Sequence, residues 1–577
     1  MDTPRYRTVR FGDFELDAGA GELRKRGKRL HLQPQPFEVL SLLVSRAGQL
    51  VVREELQQRL WDKDTFVDFE QGLNVCIRQI RAVLNDSAGQ PRFVETVPRR
   101  GYRFIASRIK FLPQHPIDSL AVLPFENCSG NPDLHYLSDG IAESLINSLS
   151  LLKRLRVVSR GTSFRFKDRT DLRSVGRELN VRAAVCGRVI SLGESINIQA
   201  ELVDLGNDSQ LWGSQYSRKL SNIFELQEEI AREICQHLRL QLSRGEVKRL
   251  RKRSTQNPEA YQLYLKGRYC SEKRTQEELH KAIDYFLRSV ENDPSYAQAY
   301  AGLADAYTLL GSGTYGAMPA KNARVRATEM AVKALEMDST LAEARTSLAF
   351  VRFRFDWAWP DAARGFERAI ELNPRYVRAH HWYALFLSAM GRHDEAIEEI
   401  KKAQELDPLS LSVNTAEGRI LHFARQYDRA IEQFRSVLDL DPNFVPAHFD
   451  LGASYMQKWM FQEALTEFQT CVTLSRGRLI YVAAVAEAYG RLGRNDEALN
   501  LLSQLRHASR NQYASPNDIA LVYVGLGEKQ QAFAWLEIAY EQRDASLVWL
   551  KVAPESDALR SDTRFADLLR RMNFPDS

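Results

Sequence analysis

The sequence contains no apolar run of the length that a membrane-spanning helix needs, which is about 18 residues. Its first residues, MDTPRYRTVRFGD, lack the apolar core of a secretory signal. The six cysteines are scattered and form no CxxC pair, a pattern typical of reduced thiols. These absences exclude a spanning protein and a disulfide-stapled secreted domain. We therefore expect a cytoplasmic protein with no membrane partner.

Motifs of catalysis and metal binding are also missing. The chain has no HExxH motif, nucleophile elbow or Walker lysine-serine pair. Near matches fail on context, because the SxxK pattern from Ser150 to Lys153 has no KTG or SDN partner. His380 and His381 are adjacent, so on a helix they would point about 100° apart and could not share one metal. We expect no enzyme, no cofactor and no metal.

The positive charge is concentrated near the N-terminus. Residues 1–110 hold 20 lysines and arginines against 14 acidic residues, a net of +6, whereas the whole chain of 577 residues carries +5. A local basic excess is typical of a domain that binds a polyanion. A chain of this length is expected to divide into about three to five domains.

The N-terminal part reads as strands, then helices, then a ribbon. Residues 8–32 alternate short β-like runs with Gly and Asp turns, which predicts a small antiparallel sheet. Helical patterns follow at about 34–47, 52–61 and 69–85, and a β-ribbon spans 93–105. This order predicts a winged helix-turn-helix.

The third helical segment, 69–85, has two different faces. One is an apolar stripe spaced i, i+4, i+7 and i+11: Leu73, Ile77, Ile80 and Leu84. The opposite face is polar, with no acidic residue between Gln71 and Asn85: Asn74, Arg78 and Arg81, flanked by Gln71 and Gln79. Arginine can bond guanine and asparagine or glutamine can bond adenine, so this face suits a major groove. A merely solvated helix face is the alternative.

The ribbon VPRRGYRF brings two more arginines beside this helix. Arg99 and Arg100 lie at a tip bounded by Gly101, where they would enter or straddle a minor groove. Tyr102 could bond a phosphate, and Arg53 begins the second helix, where a phosphate can be held. A turn that is only solvated would also be charged. The neighbouring helix with its polar face favours a wing that contacts DNA over such a turn.

Residues 8–107 resemble the OmpR/PhoB-type winged-helix effector domain over its full length. The resemblance rests on apolar and charged positions of all three helices and on the ribbon: Leu32, Phe37, Glu38, Leu40, Leu43, Arg53, Glu54, Leu56, Trp61, Leu73, Val75, Ile77, Arg78, Ile80, Arg81, Thr96, Val97, Gly101, Tyr102, Arg103 and Phe104. It implies that Asn74, Arg78 and Arg81 face bases or phosphates, while Arg53 and Tyr102 hold the DNA backbone.

The resemblance also concerns a partner and a target. It implies that the loop from Asp62 to Asp68 contacts RNA polymerase, through Asp62, Lys63, Asp64 and Asp68. Cys76 and Gln79 stand where family members often carry larger polar or basic groups, so the target DNA sequence does not transfer. No receiver domain precedes the winged helix, so phosphorelay control is not implied.

From about residue 258 the sequence repeats with a period of 34. Small residues recur in register: Ala362, Ala396, Ala430, Ala464, Ala498 and Ala532. Larger apolar residues follow each alanine by four positions: Phe366, Ile400, Phe434, Phe468, Leu502 and Leu536. This pattern matches the tetratricopeptide repeat (TPR), a pair of closely packed helices. An 11-residue surplus, 311–321, falls between the helices of an early unit.

The whole chain is therefore expected to be multidomain. A winged helix-turn-helix (α+β) is followed by an α+β domain that resembles the TolB-N-like module, and then by an all-α TPR solenoid. Together the three parts are similar to a CadC-like architecture without a transmembrane helix. The expected boundaries are 1–110 for the DNA-binding domain, 111–117 for a linker, 118–245 for the central domain, 258–544 for about eight TPR units, and 545–577 for a C-terminal cap.

These features predict a bacterial transcription regulator. The winged helix binds double-stranded promoter DNA, the repeats receive a protein or peptide signal, and the central domain couples the two or forms a homodimer. One alternative is a TPR scaffold whose winged helix binds protein. Another is a small-molecule sensor that acts through the central domain. A steep fall of affinity with salt would favour DNA over protein as the winged helix's partner.

Overall fold

The structure is a computed structural model. It describes residues 8–17, 21–60, 69–106, 109–112, 117–131, 134–150, 152, 154–167, 171–192, 195–206, 209–238, 240, 255–273, 275–312, 318–509 and 513–575. The chain divides into two compact units, Met1–Ile117 and Asp118–Ser577. The division falls at the end of the expected linker.

The first unit has the predicted sequence of strands, helices and ribbon. Its elements are β1 (Thr8–Phe11), β2 (Phe14–Asp17), β3 (Glu22–Lys25), β4 (Lys28–Leu30), α1 (Pro34–Ser45), β5 (Leu50–Val52), α2 (Arg53–Leu60), α3 (Phe69–Leu84), β6 (Val94–Val97), β7 (Gly101–Phe104) and β8 (Ile109–Leu112). One antiparallel sheet has the order β4-β3-β2-β1-β8, and a smaller one has the order β5-β7-β6. Strand β8 therefore extends into the segment expected to be a linker.

An aromatic cluster joins the two sheets of the first unit. Phe11 of β1 packs edge-on against Phe104 of β7, with ring centroids 4.9 Å apart, and against Phe93 at 5.7 Å. Phe14 of β2 packs edge-on against Phe93 at 5.5 Å. Edge-to-face contacts at these distances are favourable for aromatic pairs. The ribbon β6–β7, called the wing below, is therefore fixed to the N-terminal sheet.

The second unit begins with an α+β domain, as predicted. Its elements are β9 (Ser119–Val122), β10 (Glu126–Asn127), α4 (His135–Ser150), β11 (Arg156–Val157), α5 (Arg160–Ser163), α6 (Leu172–Glu178), β12 (Ala183–Leu192), β13 (Ser195–Asp204), β14 (Ser209–Lys219) and α7 (Ile223–His237). The sheet order is β11-β9-β12-β13-β14, and β10 also pairs with β12. The last three strands form the predicted antiparallel meander, while β11, β9 and β12 run parallel.

Antiparallel helix pairs follow, as the 34-residue period predicted. The described helices from Pro258 onward are α8 (Pro258–Glu272), α9 (Gln276–Asn292), α10 (Ala297–Leu310), α11 (Ala320–Met337), α12 (Ala342–Val351), α13 (Trp359–Leu372), α14 (Val377–Ala389), α15 (His393–Leu406), α16 (Leu411–Phe423), α17 (Tyr427–Leu440), α18 (Val445–Gln457), α19 (Phe461–Leu474), α20 (Leu479–Arg491), α21 (Asn495–Ala508), α22 (Pro516–Gly525), α23 (Lys529–Glu541) and α24 (Thr563–Arg571). Helices α8 to α23 make eight pairs, and a π-helical turn, Arg352–Asp356, follows α12.

The repeating alanines lie in the interior of the helix pairs. All six have no exposed surface, and the larger residues four positions later are also buried. In the fifth pair, a Cβ placed on Gly418 would lie 2.4 Å from the ring of Phe434. A side chain at that position would displace the ring, so this pair also needs a small residue where Phe434 packs.

The segment after the eighth pair packs back onto earlier pairs. Trp549 lies against Phe353 and Phe423, with ring centroids 5.9 and 5.0 Å away. Trp359 donates from Nε1 to the carbonyl oxygen of Met572 at 3.1 Å. The expectation for 545–577 was a cap at the end of the solenoid. The segment contacts the eighth pair, where Arg571 pairs with Glu537 at 2.8 Å, and it also reaches the third and fifth pairs, which are distant in sequence.

The α+β domain is docked onto the repeats within the second unit. Arg268 of α8 donates to Glu143 of α4 at 2.7 Å, and Tyr261 donates to Gln227 of α7 at 3.1 Å. Arg165 donates to the carbonyl oxygen of Leu440, at the end of α17, at 3.0 Å. Contacts with both the first and the fifth pair hold the domain along the array.

Candidate nucleic-acid interface

Helix α3 buries the predicted stripe and presents the predicted polar face. Leu73, Ile77, Ile80 and Leu84 are each 3 % exposed or less. Asn74 and Arg78 are exposed on the other side. The end of the helix is joined to the wing by Asp86, whose carboxylate accepts from the amides of Arg92 at 2.7 Å and Val94 at 2.8 Å. The helix and strand patterns of the sequence did not single out Asp86. The Asn85-Asp86 pair is nevertheless a recognisable turn signal, and Asn85 has a left-handed φ in the structure.

Arg81 is turned toward the wing. Its Nη2 donates to the carbonyl oxygen of Val94 at 2.9 Å and to Oγ1 of Thr96 at 2.8 Å. The guanidinium is half-buried in this position. The structure therefore places Arg81 between α3 and β6, where it fixes the wing relative to the helix.

Tyr102, which is expected to contact a phosphate, is almost fully buried between α2, α3 and β7. It is 2 % exposed, and its hydroxyl donates to Oδ1 of Asn74 at 3.1 Å. Arg53 donates to the same hydroxyl at 3.3 Å and pairs with Glu70. Burial raises the pKa of Tyr102, so the phenol stays a neutral donor. The structure thus brings these four side chains together as one network across α2, α3 and β7.

Arg78 is the arginine of α3 whose guanidinium is exposed and unpaired among the described residues. It is exposed and has no ion pair or hydrogen bond with any residue in the described ranges. Gln71 is also exposed, and Gln79 is half-buried with its Nε2 3.5 Å from Oε1 of Gln33. A contact of this length is weak. Arg78 is therefore the cation of this face that is available to an incoming ligand.

The wing tip carries Arg99 and Arg100, both exposed. The amide of Arg100 donates to the carbonyl oxygen of Val97 at 3.0 Å, which closes a tight turn, and Arg99 takes a left-handed φ of +62°. Gly101 follows, and a Cβ there would lie 2.0 Å from the carbonyl oxygen of Val51. Glycine is needed at this position because β7 passes so close to β5.

A groove of about 540 Å³ runs between α3 and the wing. Its lining is rich in arginine and contains one acidic residue: Arg53, Asn74, Ile77, Arg78, Arg81, Ala82, Asp86, Ala88, Thr96 and Tyr102. Asp86 uses its carboxylate on backbone amides. The groove is therefore a cationic surface. The residues expected to contact RNA polymerase, Asp62, Lys63, Asp64 and Asp68, lie outside the described residues.

Several aromatic side chains of the repeats are part of their packing. Trp382 is 4 % exposed and stacks on Phe350 at 4.0 Å. Tyr307 and Tyr455 are each 5 % exposed. Of the described helices, none is both long and apolar enough to cross a bilayer.

Three parts of the chain match known families. Residues 27–104 match the C-terminal domain of transcriptional regulatory proteins, and residues 116–233 match the second domain of HilA/YgeH-like transcriptional regulators. Residues 366–398 and 411–444 match tetratricopeptide repeats. The segment that resembles a TolB-N-like module is thus similar to the HilA second domain.

Individual relatives cover different shares of the chain. Transcriptional regulator HilA of Salmonella typhimurium is 25 % identical over 408 residues, which is 69 % of this chain and 70 % of HilA. The phosphate regulon regulatory protein PhoB of Rhizobium meliloti is 33 % identical over 94 residues, which is 16 % of this chain and 40 % of PhoB.

A Rhizobium meliloti protein named for an adenylate cyclase activity is 39 % identical over 194 residues, and the chain spans 33 % of its length. The matched family models, in contrast, describe regulators and repeats and no catalytic domain. An OmpR/PhoB-type winged helix, a HilA-like second domain and a TPR array make up this chain, and that is the architecture of a transcriptional regulator.

Proposed function

We propose that the chain binds promoter DNA sequence-specifically, with α3 in the major groove and the wing at the adjacent minor groove. The observation that supports this most is the exposed and unpaired guanidinium of Arg78, which lines the groove together with Arg53 and Arg81, on a helix with no acid between Gln71 and Asn85. An arginine in that position can bond both acceptors of a guanine. Gln71 and Gln79 flank it and would contact neighbouring bases or phosphates.

The other candidate residues take different roles in this proposal. Arg99 and Arg100 contact phosphates or the minor groove from the wing tip. Arg53, Asn74, Arg81 and Tyr102 hold α2, α3 and the wing in register, and Arg53 and Asn74 turn to the DNA only if their bonds to Tyr102 open. Such positioning matters because base contacts need the helix at a fixed depth and angle.

Selection of genomic DNA fragments by the purified full-length protein tests the proposal. Arg78→Ala should lose the enriched motif and weaken binding by about 1–3 kcal/mol. Arg26→Ala is the matched control. Arg26 is also an exposed arginine of the first unit, but it pairs with Asp13 and does not line the groove. Equal enrichment of the motif by wild type and Arg78→Ala, with both proteins folded, would contradict the placement of α3 in the major groove.

We further propose that the loop containing Asp62, Lys63, Asp64 and Asp68 contacts RNA polymerase. Alanine at all four positions should abolish activation from a target promoter while DNA affinity stays unchanged. Loss of DNA affinity together with activation would contradict a separate polymerase contact. Because the α+β domain and the C-terminal segment already contact several helix pairs, a protein partner of the repeats is expected on the surfaces that they leave open.

The chain is proposed to act as a regulator without catalysis, and the α+β domain is proposed to support a homodimer. The identity to the cyclase-named relative makes cyclic AMP formation the activity to test. Purified protein incubated with ATP and Mg²⁺ should form none above the level of the heat-denatured sample. Light scattering at several concentrations should give twice the chain mass, and a single-chain mass would reject the dimer.

A further inference from the structure

Arg354 lies in the π-helical turn that ends α12 in the third helix pair. It is 9 % exposed. Its guanidinium lies over two aromatic rings, 5.8 Å from the centroid of Phe350 and 5.6 Å from that of Trp549 in the C-terminal segment. A cation over a ring face is favourable, but the rings leave the N–H donors of the guanidinium without hydrogen bonds.

No acceptor among the described residues takes up these donors. Eight arginines of the described residues have an Nε that is shielded from solvent and has no hydrogen bond. The guanidinium of seven of them still contacts an oxygen of another residue, through a hydrogen bond or an ion pair: Arg53, Arg81, Arg103, Arg160, Arg268, Arg345 and Arg491. Arg354 is the eighth, without an ion pair or hydrogen bond to a described residue. Its two Nη atoms are not among the shielded atoms, so they face accessible space.

Two neighbouring charges act on Arg354 in opposite directions, Arg419 lowering and Asp544 raising its pKa, and neither side chain bonds to it. Arg419 of α16 is a like charge that acts on Arg354, and it pairs with Asp450 at 2.7 Å. Asp544 uses its two oxygens on the hydroxyl of Ser515 at 2.6 Å and the amide of Ser546 at 2.8 Å. Burial, followed by Arg419, lowers the pKa of Arg354 to about 10. A buried charge without a partner is costly, so an unbonded arginine in this position needs an explanation.

We propose that Arg354, with Arg419 beside it, binds the carboxylate of a small acidic ligand between the third and fifth helix pairs and Trp549. The planar fork of a guanidinium matches a carboxylate with two parallel hydrogen bonds. One negative charge neutralises Arg354, because Arg419 and Asp450 already neutralise each other. A phosphate dianion would leave an excess negative charge next to Asp544 and is therefore disfavoured.

The same chemistry could come from a free organic acid or from the C-terminal carboxylate of a peptide. In either case the ligand would contact both an early helix pair and the C-terminal segment, and would thus strengthen the closure of the array. For the proposed regulator, this would be an inducer site in the repeats. Binding to Arg354 does not depend on DNA binding and is measured without DNA.

The test uses the full-length protein with acetate, succinate, triglycine, triglycine amide and inorganic phosphate as probes, each matched to sodium chloride of equal ionic strength. Melting temperature and calorimetric titration are measured for wild type, Arg354→Met and the control Arg352→Met, which changes a half-buried arginine of the same turn. We expect carboxylates to raise the melting temperature of wild type and of the control. Binding to Arg354→Met should be at least tenfold weaker.

Tighter binding of succinate than of triglycine would indicate that the ligand is a free acid. Tighter binding of triglycine than of both succinate and triglycine amide would indicate a peptide C-terminus. Carboxylate effects no larger than those of chloride would overturn the proposal, as would equal binding by wild type and Arg354→Met, or tighter binding of phosphate than of any carboxylate. If Arg354→Met fails to fold, Arg354→Lys replaces it, because lysine keeps the charge and removes the fork. The wild-type titration alone can still reject the site.

Discussion

The guanidinium of Arg81 donates from Nη2 to the carbonyl oxygen of Val94, with the nitrogen 2.9 Å from the oxygen. This bond joins the last turn of α3 to the first residue of the wing. An arginine that sequence periodicity places on a DNA-facing surface therefore also holds the two proposed DNA-contacting elements together.

Replacement of Arg81 by methionine should loosen the wing. The carbonyl of Val94 and the hydroxyl of Thr96 lose a charged donor, and we expect a loss of about 1–3 kcal/mol in the free energy of unfolding. Hydrogen exchange at the wing amides should accelerate. Arg78→Met is the matched control, and it should leave both the melting temperature and the exchange unchanged. Identical exchange in the two variants would contradict the positioning role of Arg81.

The salt dependence of DNA binding should report the wing tip. Arg99→Ala and Arg100→Ala each remove an exposed cation that would displace counterions from the duplex. The slope of log affinity against log salt should fall by about one for each phosphate that the variant no longer neutralises. Affinity measured at four or more salt concentrations gives this slope. A parallel line at lower affinity would mean that these arginines contact bases and not phosphates.

Gly101→Ala should damage the wing from within. The new Cβ would lie 2.0 Å from the carbonyl oxygen of Val51, so β5 and β7 must move apart. Crowding of this kind costs about 1–3 kcal/mol of stability, and DNA affinity should fall with it. Gly89→Ala is the control, since no atom lies within 4 Å of a Cβ there. A melting temperature equal to that of the control would show that the strands adjust freely.

Glu487 of α20 should make stability depend on pH. Burial raises its pKa from 4.5 to about 7, against the opposing effect of Arg491. The folded protein thus binds the proton of this carboxyl more tightly than the unfolded chain does. The resulting contribution to the free energy of unfolding is complete below pH 4.5 and is lost as the pH rises through 7. The difference is on the order of 3 kcal/mol.

Glu487→Gln should remove this loss, so the variant should be more stable than wild type at pH 8 and close to it at pH 5. Urea unfolding across this range measures the effect. The control Glu497→Gln changes an exposed carboxylate whose pKa is lowered by Arg494, and it should not produce a gain at pH 8. The same pH profile for wild type and Glu487→Gln would show that Glu487 is ionised throughout.

The sequence alone predicted the repeating and amphipathic elements well. The 34-residue spacing of alanines corresponds to helix pairs whose close contacts need small residues, and the stripe from Leu73 to Leu84 is the buried side of α3. The three classes of domain and the regulator function were also correctly predicted. The repeats and the buried stripe depend on local periodicity, which one sequence contains in full. The central domain and the regulator function followed from resemblance to known families.

The roles of individual polar residues were harder to predict. Periodicity puts Arg81 and Asn74 on the outer face of α3, but it does not say that β6 and Tyr102 come within hydrogen-bonding distance of them. Likewise, nothing in the tail indicates that Trp549 reaches Phe353. Such contacts depend on how distant elements pack, and a long side chain bonds whichever neighbour the fold provides.

The hydrogen bond between Trp359 and Met572 joins residues 213 positions apart. The helix pairs themselves need only their neighbours in sequence, so they can form by short loop closures that are fast. Docking of the C-terminal segment onto the third pair closes a much longer loop of chain. The conformational entropy of that loop is lost before the contact is formed. Refolding should therefore show a rapid gain of helix and a later burial of Trp549. During that interval, the inner surfaces of the third and fifth pairs remain open to solvent.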